Sequence, residues 1–456
     1  MKHKLLLILL LITLWGFLLL YNYCVPLLPV FKIGFITIDM PQLPAFALLI
    51  GFIFAYTALI NIAYKQKRIL NKKNPSSENT DYHPFISIVV PCHCEANVIG
   101  DTIENLMSIE YPSYELIVID DRSTDNTAVV LKEYEDKYNG KMRSMIRPQD
   151  AYPGKSAVLN EVFELTKGEV ICVFDADARI KPDFLSKILP YLAPKDVGAV
   201  QARKIISNRD YNFLTRCQDN ELALDSHFQC GRDAIKGAVE LRGNGQLIKK
   251  EALLSINKWN NDSITDDLDL STKLHLKGWD VRFCIDLEVY EEGVLTFSAL
   301  IKQRRRWIEG SIRRYLDYFD EMITSQKISL WARLDMLAYI AEFLLPIWFA
   351  AEIVLQSAKI IDHQPNNVMS SVLLMASMGI IFFTGLVYAL CRYKKLSYRE
   401  TLKQSLETTV YLILFWTPLV VLIIPKIIFT KRSMDWGKTD HGVILKKTKE
   451  FEKSKV

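Results

Sequence analysis

The chain has 456 residues, 50% of them hydrophobic and 24% charged, and its 56 Lys and Arg against 52 Asp and Glu leave a net charge of only +4. So small a balance gives no footing for nucleic-acid binding, and apolar residues gathered into blocks exclude a wholly water-exposed chain. Eight cysteines without a CxxC pair, six of them in the long polar stretch, argue against a disulfide framework and fit a reducing compartment.

Residues 5–20 are nearly all apolar and residues 43–64 form a second run. Each is near the roughly 20 residues that cross a ~30 Å hydrocarbon layer as a helix. Lys2 and Lys4 before the first run resemble a signal peptide, but no small-residue cleavage site follows, so an anchor is expected. Lys65, Lys67, Arg68, Lys72 and Lys73 follow the second run, which places both flanks of this two-span unit (1–70) on the cytosolic side.

Across residues 80–328, short apolar β-rich runs (85–90, 115–120, 169–174, 198–201) alternate with helical patterns (98–109, 124–138, 156–166). Alternation of this kind predicts an α/β, Rossmann-like domain with a parallel sheet and helical crossovers, its ligands lying beyond the carboxyl ends of the strands. Three later apolar segments (336–356, 368–391, 409–429) predict membrane helices within 329–430, followed by a basic tail, 431–456. The basic loop 392–403 predicts a cytosolic return. A complete last span would leave Lys431, Arg432, Lys446 and Lys447 outside, whereas a break at Pro418 into a re-entrant hairpin would return them inside.

The acidic motifs fall at predicted strand ends. Asp120-Asp121-Arg122-Ser123-Thr124 ends a strand and opens a helix, where a carboxylate can accept from a nucleobase N–H or ribose hydroxyls; Ser123 or Thr124 can equally cap that helix. Asp175-Ala176-Asp177 follows the next apolar strand. Two carboxylates so spaced suit a hard cation, Mg²⁺ or Mn²⁺, that shares a diphosphate, although a solvated turn has the same pattern. Lys155, after Gly154, can supply a charge to a nucleotide-sugar or be an ordinary exposed lysine. Cys92-His93-Cys94 would direct alternate side chains to opposite sides of a strand end, which disfavours a shared ion.

Thr265-Asp266-Asp267-Leu268-Asp269 offers Asp267 as a general base for an acceptor hydroxyl, with Asp266 or Asp269 available to cap a helix over 270–276. Gln303-Arg304-Arg305-Arg306-Trp307 begins a stretch with six basic residues between Lys302 and Arg314, predicted as helical and interfacial near 297–325. An anionic membrane surface would account for most of that charge. Arg306 can hold a departing diphosphate, and Trp307 can wall the sugar or anchor at the interface.

In this order the four motifs resemble the membrane-embedded glycosyltransferase family 2, which joins a GT-A nucleotide-sugar fold to membrane helices. The stretches 197–204, 240–246, 264–276 and 303–320 are similar, more narrowly, to the cyanobacterial-type β-monoglucosyldiacylglycerol synthases. The resemblance implies a GT-A domain inserted between N- and C-terminal transmembrane helices, with its active site on the cytosolic face of a multi-pass membrane protein. It also implies UDP-glucose as donor, diacylglycerol as acceptor, Mg²⁺ as cofactor and an inverted, β-linked product. Carried over by motif, Asp175 and Asp177 would hold the metal, Asp267 would be the base, and Glu95, Asp120, Asp121, Lys155, Gln303, Arg306 and Trp307 would meet the nucleotide-sugar. Many members have Asn-Glu where this chain has Cys94-Glu95. A processive polysaccharide synthase is the alternative, since Gln-x-x-Arg-Trp is common there; Glu342 and Glu352 within one late apolar segment keep it open.

Overall fold

The computed structural model describes residues 31–33, 36–38, 65, 82–361, 368–430 and 432. The two predicted N-terminal spans lie outside these residues. Between them, β1 (Phe31–Ile33) and β2 (Ile36–Ile38) form an antiparallel hairpin.

The main sheet has seven strands: β3 (Ile86–Cys92), β4 (Tyr114–Asp120), β5 (Met142–Ile146), β6 (Val170–Val173), β7 (Val197–Ile206), β8 (Gln246–Lys249) and β9 (Asp280–Glu291), in the order β5-β4-β3-β6-β8-β7-β9. Side chains of β3 alternate between two cores. Ile86, Ile88, Val90 and Cys92 meet α1 (Ile99–Met107) and α4 (Phe184–Leu192) on one face; Val89 meets α3 (Lys155–Phe163) on the other. Burial on both faces is why these strands read as continuous apolar runs. A further helix, α2 (Thr127–Lys137), connects β4 to β5.

The sheet is mixed, which corrects the expectation of parallel strands throughout. The strands β3, β4, β5 and β6 are parallel, but β8 runs antiparallel to both β6 and β7. The cause is α5 (Phe213–Ile235), a helix with a capping box at Asn212 that carries the chain away from β7, so that β8 re-enters between its neighbours from the opposite end. After β8 come α6 (Lys250–Ser255) and α7 (Asp266–Leu276). Neither Asp266 nor Asp269 caps α7: Thr265 holds the N-cap position and both acids lie inside the first turn.

Four long helices follow among the described residues: α8 (Phe297–Thr324), α9 (Leu330–Ile361), α10 (Val368–Tyr393) and α11 (Tyr398–Phe429). The last three cover the three predicted apolar segments. By length and composition, α11 alone among the described residues qualifies to cross a membrane. It runs unbroken through Pro418 and Pro425, so no re-entrant break occurs at Pro418.

Candidate active site

The parallel strands bring the acidic motifs to one edge. Cys92 pairs with Asp120 at the ends of β3 and β4, and the Asp121 N–H donates to the Cys92 carbonyl at 2.8 Å. Asp120 Oδ1 accepts from the Ser123 N–H and hydroxyl, and burial raises its pKa above the usual carboxylate value. Asp121 behaves differently. Its side chain is wholly buried against Arg147 and Arg122, and Arg147 also pairs with Glu161, so Asp121 braces the strand end from behind. Glu95 is buried at the start of α1, its N–H donating to Thr127 Oγ1. Cys94 has φ 56°, and its N–H donates to Ser123 Oγ at 2.6 Å, tying the two strand-end loops together.

Beyond β6, Asp175 Oδ1 accepts from Lys155 Nζ at 2.6 Å, and the Asp175 N–H donates to Asn244 Oδ1 at 3.2 Å. Lys155 is therefore not an ordinary exposed lysine. Burial works against its charge, but Asp175, Asp266 and Asp267 together raise its pKa above the usual lysine value. Asp177 is buried, and its Oδ2 accepts from the Glu292 N–H at 2.6 Å.

The turn Arg242-Gly243-Asn244 forms the floor. Gln201, buried in β7, donates to the Asn244 carbonyl and accepts from the Arg242 N–H, clamping both ends of the turn. Gly243 has φ +80°, and a Cβ added there would stand 3.2 Å from Asp267 Oδ2 and 3.6 Å from Lys155 Nζ. This glycine is where the first-turn carboxylate of α7, the lysine of α3 and the strand end of β6 converge. Asp267 Oδ1 accepts from the Leu268 N–H at 2.8 Å. Beside it, Asp266 is lifted to about 6, mainly by burial, with Lys155 opposing and Asp267 adding to the rise. Asp269 turns away to Tyr318 and Asn260.

The opposite wall is α8. Arg306 is half-buried and faces Asp266, Asp267 and Asp175; burial outweighs these carboxylates and lowers its pKa below the usual guanidinium value. Trp307 carries Arg304 4.2 Å and Lys204 6.0 Å from its ring centre, and Gln303 is half-buried on the same helix. Half of the basic stretch turns inward, so a membrane surface does not account for most of its charge. Arg304, Arg313 and Arg314 are buried: Arg304 and Arg314 pair with Glu221 of α5 and Glu240 ahead of β8, which lie beneath α8, and Arg313 pairs with Glu309 one turn earlier on α8. Lys302 and Arg305 alone of the six are exposed.

Sequence reasoning missed Lys204, Asn244 and Glu291. Lys204 pairs with Glu291 at 2.9 Å, and Asn244 Nδ2 donates to the same carboxylate at 3.2 Å. Lys204 and Asn244 were present only as unassigned residues within 197–204 and 240–246, and Glu291, at the end of β9, belonged to no motif. Among the described residues no group of three His, Cys, Asp or Glu side chains gathers as a self-sufficient metal site. The donor set still fits a cation of the Mg²⁺ kind, which completes its shell with phosphate and water oxygens, because Asp175 keeps a third of its side-chain surface open beside the Lys155 charge.

A glycosyltransferase-like family 2 profile matches residues 83–310. A β-monoglucosyldiacylglycerol synthase from Nostoc sp. is 38% identical over 364 residues, covering 78% of this chain and 76% of the relative. A poly-β-1,6-N-acetyl-D-glucosamine synthase from Staphylococcus epidermidis is 28% identical over 371 residues, 79% of this chain and 88% of the relative. Among solved structures, a Pyrobaculum calidifontis mannosyltransferase in complex with GDP-Man and Mn²⁺ aligns with 81% of this chain and 98% of its own, at 20% identity and a TM-score of 0.53. That likeness carries the fold, GT-A α/β.

Proposed function

Since the chain belongs to glycosyltransferase family 2, we propose that it transfers glucose from UDP-glucose to the free hydroxyl of 1,2-diacylglycerol, forming β-monoglucosyldiacylglycerol at the cytosolic membrane face. The observation that supports this most is the convergence of Lys155, Asp175, Asp267 and Arg306 around Gly243. A cationic clamp for a leaving diphosphate and a carboxylate for an attacking hydroxyl are what an inverting transfer needs in one place.

In this reading Asp120 and Glu95 meet the nucleoside, while Asp121 acts from behind through Arg147. Asp175 and Asp177 would hold a divalent cation, Mg²⁺ or Mn²⁺, which when bound offsets diphosphate charge. Lys155 and Arg306 add fixed positive charge to the departing UDP. Asp267 Oδ1 is oriented by the Leu268 N–H, and the carboxylate takes the acceptor proton as its oxygen attacks the anomeric carbon. Gln303 and Trp307 close the sugar side. The N-terminal runs and the apolar helices α9 and α10 would make the protein multi-pass.

The test is radiolabelled UDP-glucose supplied to membranes from a glycolipid-free host expressing the chain. Label in one organic-extractable hexosyl-diacylglycerol is the expected result. Label in an aqueous polymer would favour the second reading, a processive polysaccharide synthase, which the Staphylococcus relative keeps in view.

A further inference from the structure

The apolar helix α11 is held to the catalytic domain at both ends. Near its start, Gln404 Oε1 accepts from Asn220 Nδ2 and Arg209 Nη2, each at 3.3 Å, and Arg216 pairs with Glu407 at 3.6 Å. Farther along, the Phe415 and Phe297 rings meet at 6.3 Å. Lys426 pairs with Glu309 at 2.6 Å, and Arg432, just past the helix, pairs with Asp317 at 2.7 Å. The partners advance together, 297, 309, 317 against 415, 426, 432, so α11 lies parallel to α8 along its apolar half.

A spanning helix would put its ends on opposite sides of a ~30 Å hydrocarbon layer. Gln404 to Phe429 covers about 37 Å of helix, yet both ends rest on one α/β domain. Sinking that domain to match would take Arg304, Arg313, Arg314 and their acids into the acyl region, at a prohibitive cost.

The face of α11 turned from the domain is apolar. Leu406, Val410, Leu414, Leu422 and Phe429 are 47–81% exposed, with Pro418 and Pro425 exposed in the same row. Arg399 and Lys403 extend that row at its start, and exposed Phe297 and Ile301 on α8 border it. An apolar stripe of this length, led by basic residues, matches the headgroup–acyl boundary of an anionic leaflet.

We infer that α11 lies in the plane of the membrane, its Leu406–Phe429 stripe seated on the lipid surface, and that the chain leaves it on the catalytic side. The helix thereby holds α8, with Arg306 and Trp307, at headgroup depth. This rests on the reading that the enzyme works at a membrane.

The full chain in lipid vesicles tests it. Leu406→Cys, Leu414→Cys, Leu422→Cys and Phe429→Cys are made singly in a Cys391→Ser background, labelled with a bimane, and quenched by lipids carrying nitroxides at shallow or deep positions. One common shallow depth at all four positions is expected. A depth that changes steadily from 406 to 429 would mean a crossing helix and overturn the inference, as would no quenching at all in a chain that resists alkaline washing. Release of the chain by that wash would overturn the membrane reading as well. As a second measurement, a carboxyl-terminal tag should be cleaved by protease only in vesicles that also expose the catalytic domain; cleavage from the other side sinks the inference.

Discussion

Asp267 and Asp266 are neighbours with different surroundings, and that difference can be tested residue by residue. Asp267 has one oxygen oriented by the Leu268 N–H and the other above Gly243, facing the Lys155 ammonium. Asp267→Asn should lower transfer by about 10²–10⁴-fold, the usual value of general-base help. UDP-glucose affinity, read by calorimetry, should stay within a few-fold, and ordinary turnover would remove the assignment. Asp266 carries the opposite signature. With its pKa lifted from 3.8 to about 6, the native state binds the proton more tightly than the unfolded chain does, so stability falls as pH rises through that window. Asp266→Asn should therefore raise the unfolding free energy at pH 7.5 by about 1–2 kcal/mol, allowing for its partial contact with water. At pH 4 the two proteins should unfold alike, and a stabilisation of equal size at both pH values would contradict this account.

At the scale of elements, α8 decides the site by its approach to α7 and by the charges buried beneath it. Gly310 sits against the Thr265 side chain at the N-cap of α7, so closely that an added methyl would overlap it. Gly310→Ala should push α8 outward one turn from Arg306. Transfer should fall by about 10²-fold, as expected for a misplaced charge clamp, while circular dichroism stays native; full activity would show that this contact does not set the geometry. Below α8, burial disfavours the Glu240 charge, yet Arg314, Arg242 and Arg232 hold its pKa down at about 2. A depressed carboxylate stabilises above its unfolded value, near 4.3, and loses that contribution as pH falls towards 2. Glu240→Gln leaves buried Arg314 without its carboxylate, while Arg242 and Arg232 keep Asp225 and Asp335, and should cost about 3–5 kcal/mol of unfolding free energy in a denaturant titration.

For the whole molecule, the domain and its apolar helices behave as one unit. Tyr315 and Leu316 of α8, Ala332 and Met336 of α9, and Val420 and Ile423 of α11 share a single core. Removing divalent ions should abolish transfer by the intact membrane enzyme, and Mg²⁺ or Mn²⁺ should restore it. Activity persisting in excess chelator would mean that Lys155 and Arg306 suffice for the diphosphate. The strands β3, β4, β6 and β7, the acidic strand ends and Gln303–Trp307 were legible in the sequence, because apolar runs buried on both faces and carboxylates after them are local patterns. Asp121 was legible as an acid but not as a brace, since Arg147 comes from another strand end.

What the sequence by itself determined is therefore the sheet-and-helix alternation, the order of the motifs and the family. These depend on periodicity and residue type over a few neighbours. Only the tertiary structure decided that β8 runs antiparallel, that Arg304 and Arg314 of α8 turn inward to acids remote in the chain, and that α11 lies along α8. Each of those outcomes depends on which distant partner a side chain meets, and that is set by packing.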